Sequence, residues 1–183
     1  MGPYHTMLIH FPIAFWVTAT VIIIVRAVSD GWLAQAFDRV LVPFLFLGML
    51  SGIGAYVLGM MVWPPDTLQT SPLGRNHMMA ASWSLVYWTA LMFMRWRVGP
   101  SIWDSTLNRV IMLLLGGLGG LLLVITATIG GHLAGSATYL TDLLRMIGWE
   151  VYATFYVPNW MLLVLVILII AMPLVALMSR RTA

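Results

Sequence analysis

Long apolar runs, broken by short clusters of charge, proline and glycine, dominate the pattern of this chain. Runs over about 7–25, 41–63, 77–94, 108–131 and 158–178 are each near the ~20 residues that cross a hydrocarbon core of about 30 Å as a helix. Pro12 falls in the first turn of the first run, where a missing N–H costs little. The stretch 27–40, with Asp30, Asp38 and Arg39, reads as a loop into the second run. Pro64, Pro65 and Pro72 break the chain after that run, and Arg95, Trp96, Arg97, Gly99 and Pro100 end the third. The pattern predicts an all-α integral membrane bundle of about five transmembrane helices, a core of four plus a C-terminal span, forming one domain over residues 1–183.

A different pattern occupies about 139–152. Leu140, Leu143, Leu144, Ile147 and Val151 recur at helical spacing opposite Thr141, Asp142, Arg145 and Glu150, which predicts an amphipathic helix lying in the membrane interface. Trp149, Tyr152, Tyr156 and Trp160 suit that depth, since an indole or phenol joins an apolar body to a polar tip.

Composition sharpens the picture. Of 183 residues 61% are hydrophobic and 8% charged, about a third of the charge of a soluble domain. Cysteine is absent, which excludes disulfides, thiolate metal sites, iron–sulfur clusters and covalent haem attachment. All nine basic residues are Arg, and the net charge of +3 reflects their placement about a bilayer rather than nucleic-acid binding. The residues before the first run carry no Lys or Arg, so that run is expected to be a retained helix and not a signal peptide. Gly2 and Thr6 match the letters of a myristoylation signal, a six-residue match that chance readily supplies.

The arginines orient the bundle. With five spans, Arg26, Arg39, Arg95, Arg97, Arg109, Arg180 and Arg181 share one side and only Arg75 and Arg145 the other. This bias predicts a multi-pass protein of the bacterial inner membrane, N-terminus outside and C-terminus cytoplasmic.

The same alternation puts His5, His10, His77 and His132 together on the outer side. An imidazole at membrane depth needs a hydrogen-bond partner or a metal. His5 and His10 are five residues apart, about 140° around a helix, so one helical face does not bring both to a single ion. Small residues flank the histidines: Ala14 after His10, Ala80, Ala81 and Ser84 after His77, and Thr128, Gly130, Gly131 and Gly135 around His132. They leave room for a flat cofactor, and equally for helix packing. The pairs Gly48/Gly52, Ala55/Gly59 and Gly116/Gly120 read first as packing seams.

These features predict b-type haem, one group held by His10 and His77 or two with His5 and His132 as a second pair, with Arg75 placed to hold a propionate. Ligation by Met7, Met78 or Met79 is open, as is a copper or zinc site built from the same histidines. No catalytic constellation is visible; Asp66 and Glu150 read as solvated charges. The expected role is electron transfer between an outer-side cytochrome c-type partner or enzyme and the quinone pool or a larger respiratory or photosynthetic complex. A structural subunit of such a complex is the alternative.

The opening segment from His5 to Ala14, HTMLIHFPIA, resembles the start of the domain of unknown function 2231 (DUF2231) family, typically HPxLVHFPIAL. His77 after Gly74-Arg75-Asn76 and the pair Gly130-Gly131 fit the same family. Thr6 stands where the family usually has Pro, and His132 where an acidic residue is usual. The resemblance implies a multi-spanning bacterial membrane protein with a haem or redox association.

Overall fold

The computed structural model describes residues 2–64, 66, 70–136, 138–148 and 159–178, and every regular element among them is helical. Gly2–Leu8 (α1) and His10–Val28 (α2) form nearly one rod, interrupted at Ile9. Pro12 lacks the N–H that would meet the Leu8 carbonyl, which places the interruption there. Trp32–Val62 (α3) follows, then Pro72–Val98 (α4), a 3₁₀ turn at Gly99–Trp103, Thr106–Leu133 (α5), the short Tyr139–Met146 (α6) and Asn159–Met178 (α7). Ser71 caps α4 by accepting from the Gly74 N–H at 3.2 Å, and Ser105 caps α5 by accepting from Asn108 at 3.2 Å.

Gly2–Val28, Trp32–Val62, Thr106–Leu133 and Asn159–Met178 are long and apolar enough to cross a membrane. The fifth expected span lies in α4, 27 residues long but less apolar than these four. Its position explains that. α4 packs against α3, α5 and α7, so Tyr87, Trp88, Leu91 and Met94 meet protein rather than lipid. The outer helices show the inverse pattern, with Val110, Ile111, Leu114 and Val124 of α5 and Leu163, Ile167 and Ile170 of α7 exposed, as fits a bundle in hydrocarbon.

Two boundaries differ from expectation. The stretch 32–40 is not loop but the first turns of α3, whose 31 residues extend about 46 Å. Asp38 sits there within a helix because Arg95 and Trp103 satisfy its carboxylate. Of the stretch expected as an interfacial helix, Tyr139–Met146 is helical, with Thr141 and Leu144 buried and Tyr139, Leu143 and Met146 exposed. Trp149, Glu150, Val151, Tyr152, Tyr156, Arg180 and Arg181, and the expected helix over 149–152, lie outside the described residues.

Glycines seat large side chains between the helices. A Cβ on Gly48 would lie 2.2 Å from the Trp16 indole nitrogen, one on Gly116 2.9 Å from Ile23, and one on Gly119 2.8 Å from Trp88. Trp16 and Trp88 stack with ring centroids 5.7 Å apart at the middle of the core. Gly48 and Gly116 thus serve helix packing, the first reading of those pairs.

A histidine-lined cavity at one end of the bundle

α2 starts, α3 ends, α4 starts and α5 ends at the same end of the bundle, so all four histidines gather there, as the alternation of spans predicts. Between α1, α2, α3, α4 and α5 this end opens into a cavity of about 490 Å³. Its wall is mostly apolar, with small residues Gly52, Ala55, Gly59, Ala81, Ala127 and Gly130 leaving the space that larger side chains would fill. Trp16, Tyr56 and Trp63 add flat aromatic surface.

Three histidines line this space: His5 from α1, His10 from α2 and His77 from α4. The Nδ1 of His5 meets the Ala55 carbonyl of α3 at 2.9 Å, and the Nδ1 of His10 meets the Thr6 carbonyl at 2.7 Å. A carbonyl only accepts, so in each ring Nδ1 carries the proton and Nε2 of the neutral imidazole keeps a bare lone pair. This arrangement also orients histidines that bind metals, where the second nitrogen donates to a carbonyl or carboxylate. His77 differs: its Nδ1 is buried and makes no well-formed hydrogen bond among the described residues, although the ring lies within reach of the Thr126 backbone of α5. An unpaired buried ring nitrogen carries a desolvation cost of about 1–3 kcal/mol; this atom is itself shielded, so it is the His77 ring and not its Nδ1 that borders the cavity.

The three rings are not equivalent. His5 is half-buried and held on the neighbouring helix, His77 is half-buried against α5, and His10 is exposed and, among the described residues, bonded only to its own rod. His5 and His77 are therefore the better fixed pair. That changes the expected ranking, in which His10 and His77 stood first, because what fixes His5 is a carbonyl 50 residues away in sequence.

His132 does not line the cavity. It stands two residues after Gly130, about 200° around the helix, so with Gly130 facing the cavity His132 turns away, and its Nε2 meets the Thr141 hydroxyl of α6. The expected second pair of His5 with His132 is not assembled. Arg75, two residues before His77 and so also turned about 200°, is likewise absent from the wall, and with it the proposed propionate partner. Met78 lines the cavity while Met7 and Met79 do not, and Asp66 is exposed. Among the described residues no three His, Asp or Glu side chains are brought together as a group of metal ligands.

Two hydroxyl pairs near the cavity escaped sequence reasoning. Ser84 and Thr126, both on the wall, share a hydrogen bond at 2.8 Å, and Tyr56 reaches Ser82 at 3.0 Å. Each joins two helices, and hydroxyls scattered singly through apolar runs carry no signal of their partner.

The opposite end carries another polar cluster. Arg95 of α4 donates to Asp38 of α3 at 2.6 Å, and the Trp103 indole N–H donates to the same carboxylate at 2.9 Å. Arg26 lies over the Trp103 ring, 5.6 Å from its centroid, and pairs with Asp30, which also accepts from Arg109 at 2.8 Å. These two guanidinium groups hold the Asp30 carboxyl down at about 2, against an ordinary value of 3.8.

No curated protein and no solved structure matches this chain. The family described as predicted membrane protein (DUF2231) matches residues 1–143, which include the whole cavity wall and all four histidines and stop short of α7. With well over half its length matched, the chain belongs to the DUF2231 family of predicted membrane proteins, the family its opening motif resembles.

Proposed function

We propose that this protein is a b-type cytochrome subunit that holds haem in the histidine-lined cavity and passes electrons at that face of the membrane. The observation that carries the reading is that His5 and His77, from different helices, border one apolar cavity, His5 with its Nδ1 committed to a carbonyl and His77 with a buried nitrogen unpaired. The residues present fit the group. The cavity volume lies within the range of about 300–1,000 Å³ typical of sites for molecules of this class, its wall is apolar, and its small residues accommodate a broad plate. When bound, haem supplies one-electron exchange. The chain supplies two imidazoles, exclusion of water by the α1–α5 wall, and His10 at the exposed rim.

The rest of the proposal follows from charge. Arg26, Arg39, Arg95, Arg97 and Arg109 lie at the end away from the histidines, and Arg75 and Arg145 at the histidine end, a bias that supports reading the cavity as opening on the outer face of a bacterial inner membrane. A chain with so little mass outside the bilayer works with partners, such as a cytochrome c-type donor and a larger membrane complex or the quinone pool.

The experiment is haem quantification on protein purified in mild detergent after expression with excess haem. Stoichiometric uptake by wild type and His132→Ala, with strong loss in His5→Ala and His77→Ala, is the expected result. Full occupancy in both His5→Ala and His77→Ala would sink the assignment.

A further inference from the structure

The two best-fixed histidines share a detail that the choice of ligands leaves unexplained. A Cβ built on Gly59 of α3 would lie 2.9 Å from Cε1 of His5, 3.3 Å from its Nδ1 and 3.7 Å from its Nε2. A Cβ built on Gly130 of α5 would lie 2.8 Å from Cε1 of His77, 3.4 Å from its Nδ1 and 3.5 Å from its Nε2. On both sides of the cavity, then, the Cε1 edge of an imidazole rests on bare helix backbone, in nearly the same relation. Both glycines are themselves part of the cavity wall.

The other close-packed glycines behave differently. Gly48 and Gly116 receive the Trp16 indole and the Ile23 side chain, large side chains of the core between helices. The histidine seats receive polar rings, and the His5 ring is pinned again by the carbonyl of Ala55, one turn before Gly59. The torsion that turns an imidazole about its own axis is broad and only about two-fold. A ring free to turn would sample many planes. Wedged against backbone, it keeps one. An alanine methyl at either seat would come closer to Cε1 than side-chain carbons ordinarily approach, so the ring would have to shift or turn.

Resting on the haem reading above, we propose that Gly59 and Gly130 are positioning residues that fix the planes of the His5 and His77 rings and thereby set the ligand field and midpoint potential of the bound haem. Both glycines border the cavity, and in this role each acts through the histidine it seats.

The test compares Gly59→Ala, Gly130→Ala and the control Gly117→Ala, whose added Cβ meets nothing within 4 Å. Haem stoichiometry, low-spin EPR g-values and midpoint potential are read on each purified holoprotein. The expected result is retained haem with shifted g-values and potential in the two seat variants, and wild-type values in Gly117→Ala. In His77→Gly supplied with imidazole, the added ligand is not tethered to α4, so Gly130→Ala should lose most of its effect.

Wild-type g-values and potential in both seat variants would overturn the proposal. Should those variants fail to fold, the wild-type holoprotein still decides: seated rings give one narrow low-spin species, and several broad species contradict the seats. A wild-type protein that takes up no haem overturns the parent reading instead, and is told apart by its stoichiometry alone.

Discussion

The two ends of this bundle spend their polar residues in opposite ways. At the arginine end, Asp38, Arg95, Trp103, Arg26, Asp30 and Arg109 are joined in a chain of ion pairs, hydrogen bonds and one cation–π contact that bolts α2, α3, α4 and α5 together. At the histidine end, His5, His10 and His77 border a space, and one buried ring nitrogen lacks a partner. The Nε of Arg95 and of Arg97 stay buried without a hydrogen-bond partner among the described residues, so the arginine end is distinguished by its charges being paired with one another, not by every polar atom being satisfied. Polar groups around an apolar cavity leave valences for something else. The contrast is why function is assigned to the histidines, although the arginines are more numerous.

The largest stability effect is expected at the closed end. Asp38→Ala removes the carboxylate that pairs buried Arg95 and accepts from Trp103, and breaking such a buried pair costs about 3–5 kcal/mol because the guanidinium is left uncompensated. Thermal unfolding in detergent measures it, and a shift no larger than that of His77→Ala would erase the distinction between the ends. Next in size is Gly119→Ala, whose new methyl would meet the Trp88 ring at 2.8 Å. Overpacking of this kind costs about 1–3 kcal/mol. It should lower stability without altering the haem spectrum, since Gly119 lies off the cavity wall.

At the open end the order reverses. His5→Ala and His77→Ala should leave the apo protein folded with little loss of stability while removing haem, and His132→Ala should do neither but loosen α6, which it holds through Thr141. Proteolysis between α5 and α6, monitored alongside haem content, separates these outcomes.

The smallest effect belongs to Asp30. Its folded value of about 2 lies below the ordinary 3.8, so this carboxylate supports the fold above the ordinary value and the support fades as pH falls through about 2. The group is exposed, so the change should be slight and should shrink with added salt. Melting temperatures of wild type and Asp30→Asn measured from pH 5 to 2 should converge at the acid end, and a constant gap would contradict the pairing.

Much of this was legible in the sequence, and the exceptions have specific causes. The apolar runs mark four of the spans, and the alternation of chain direction alone brings His5, His10, His77 and His132 to one end. α4 was legible by its breakers more than its hydropathy, because a helix wrapped by protein need not be as apolar as one facing lipid. Asp38 looked like a loop residue since its partners, Arg95 and Trp103, stand 57 and 65 residues on. The facing of His132 and Arg75 was recoverable in principle, because each lies two residues from a group that faces the cavity. What could not be recovered was the anchoring of His5 by Ala55 and its seat on Gly59, which exist only once α1 lies against α3.

The most direct test of the central claim is the dithionite-reduced minus oxidised absorption spectrum of the purified protein, wild type beside His5→Ala/His77→Ala. The account predicts the paired α and β bands of a low-spin b-type haem in wild type and their loss in the double variant. A flat wild-type spectrum after expression with excess haem, or bands undiminished in the double variant, would contradict it.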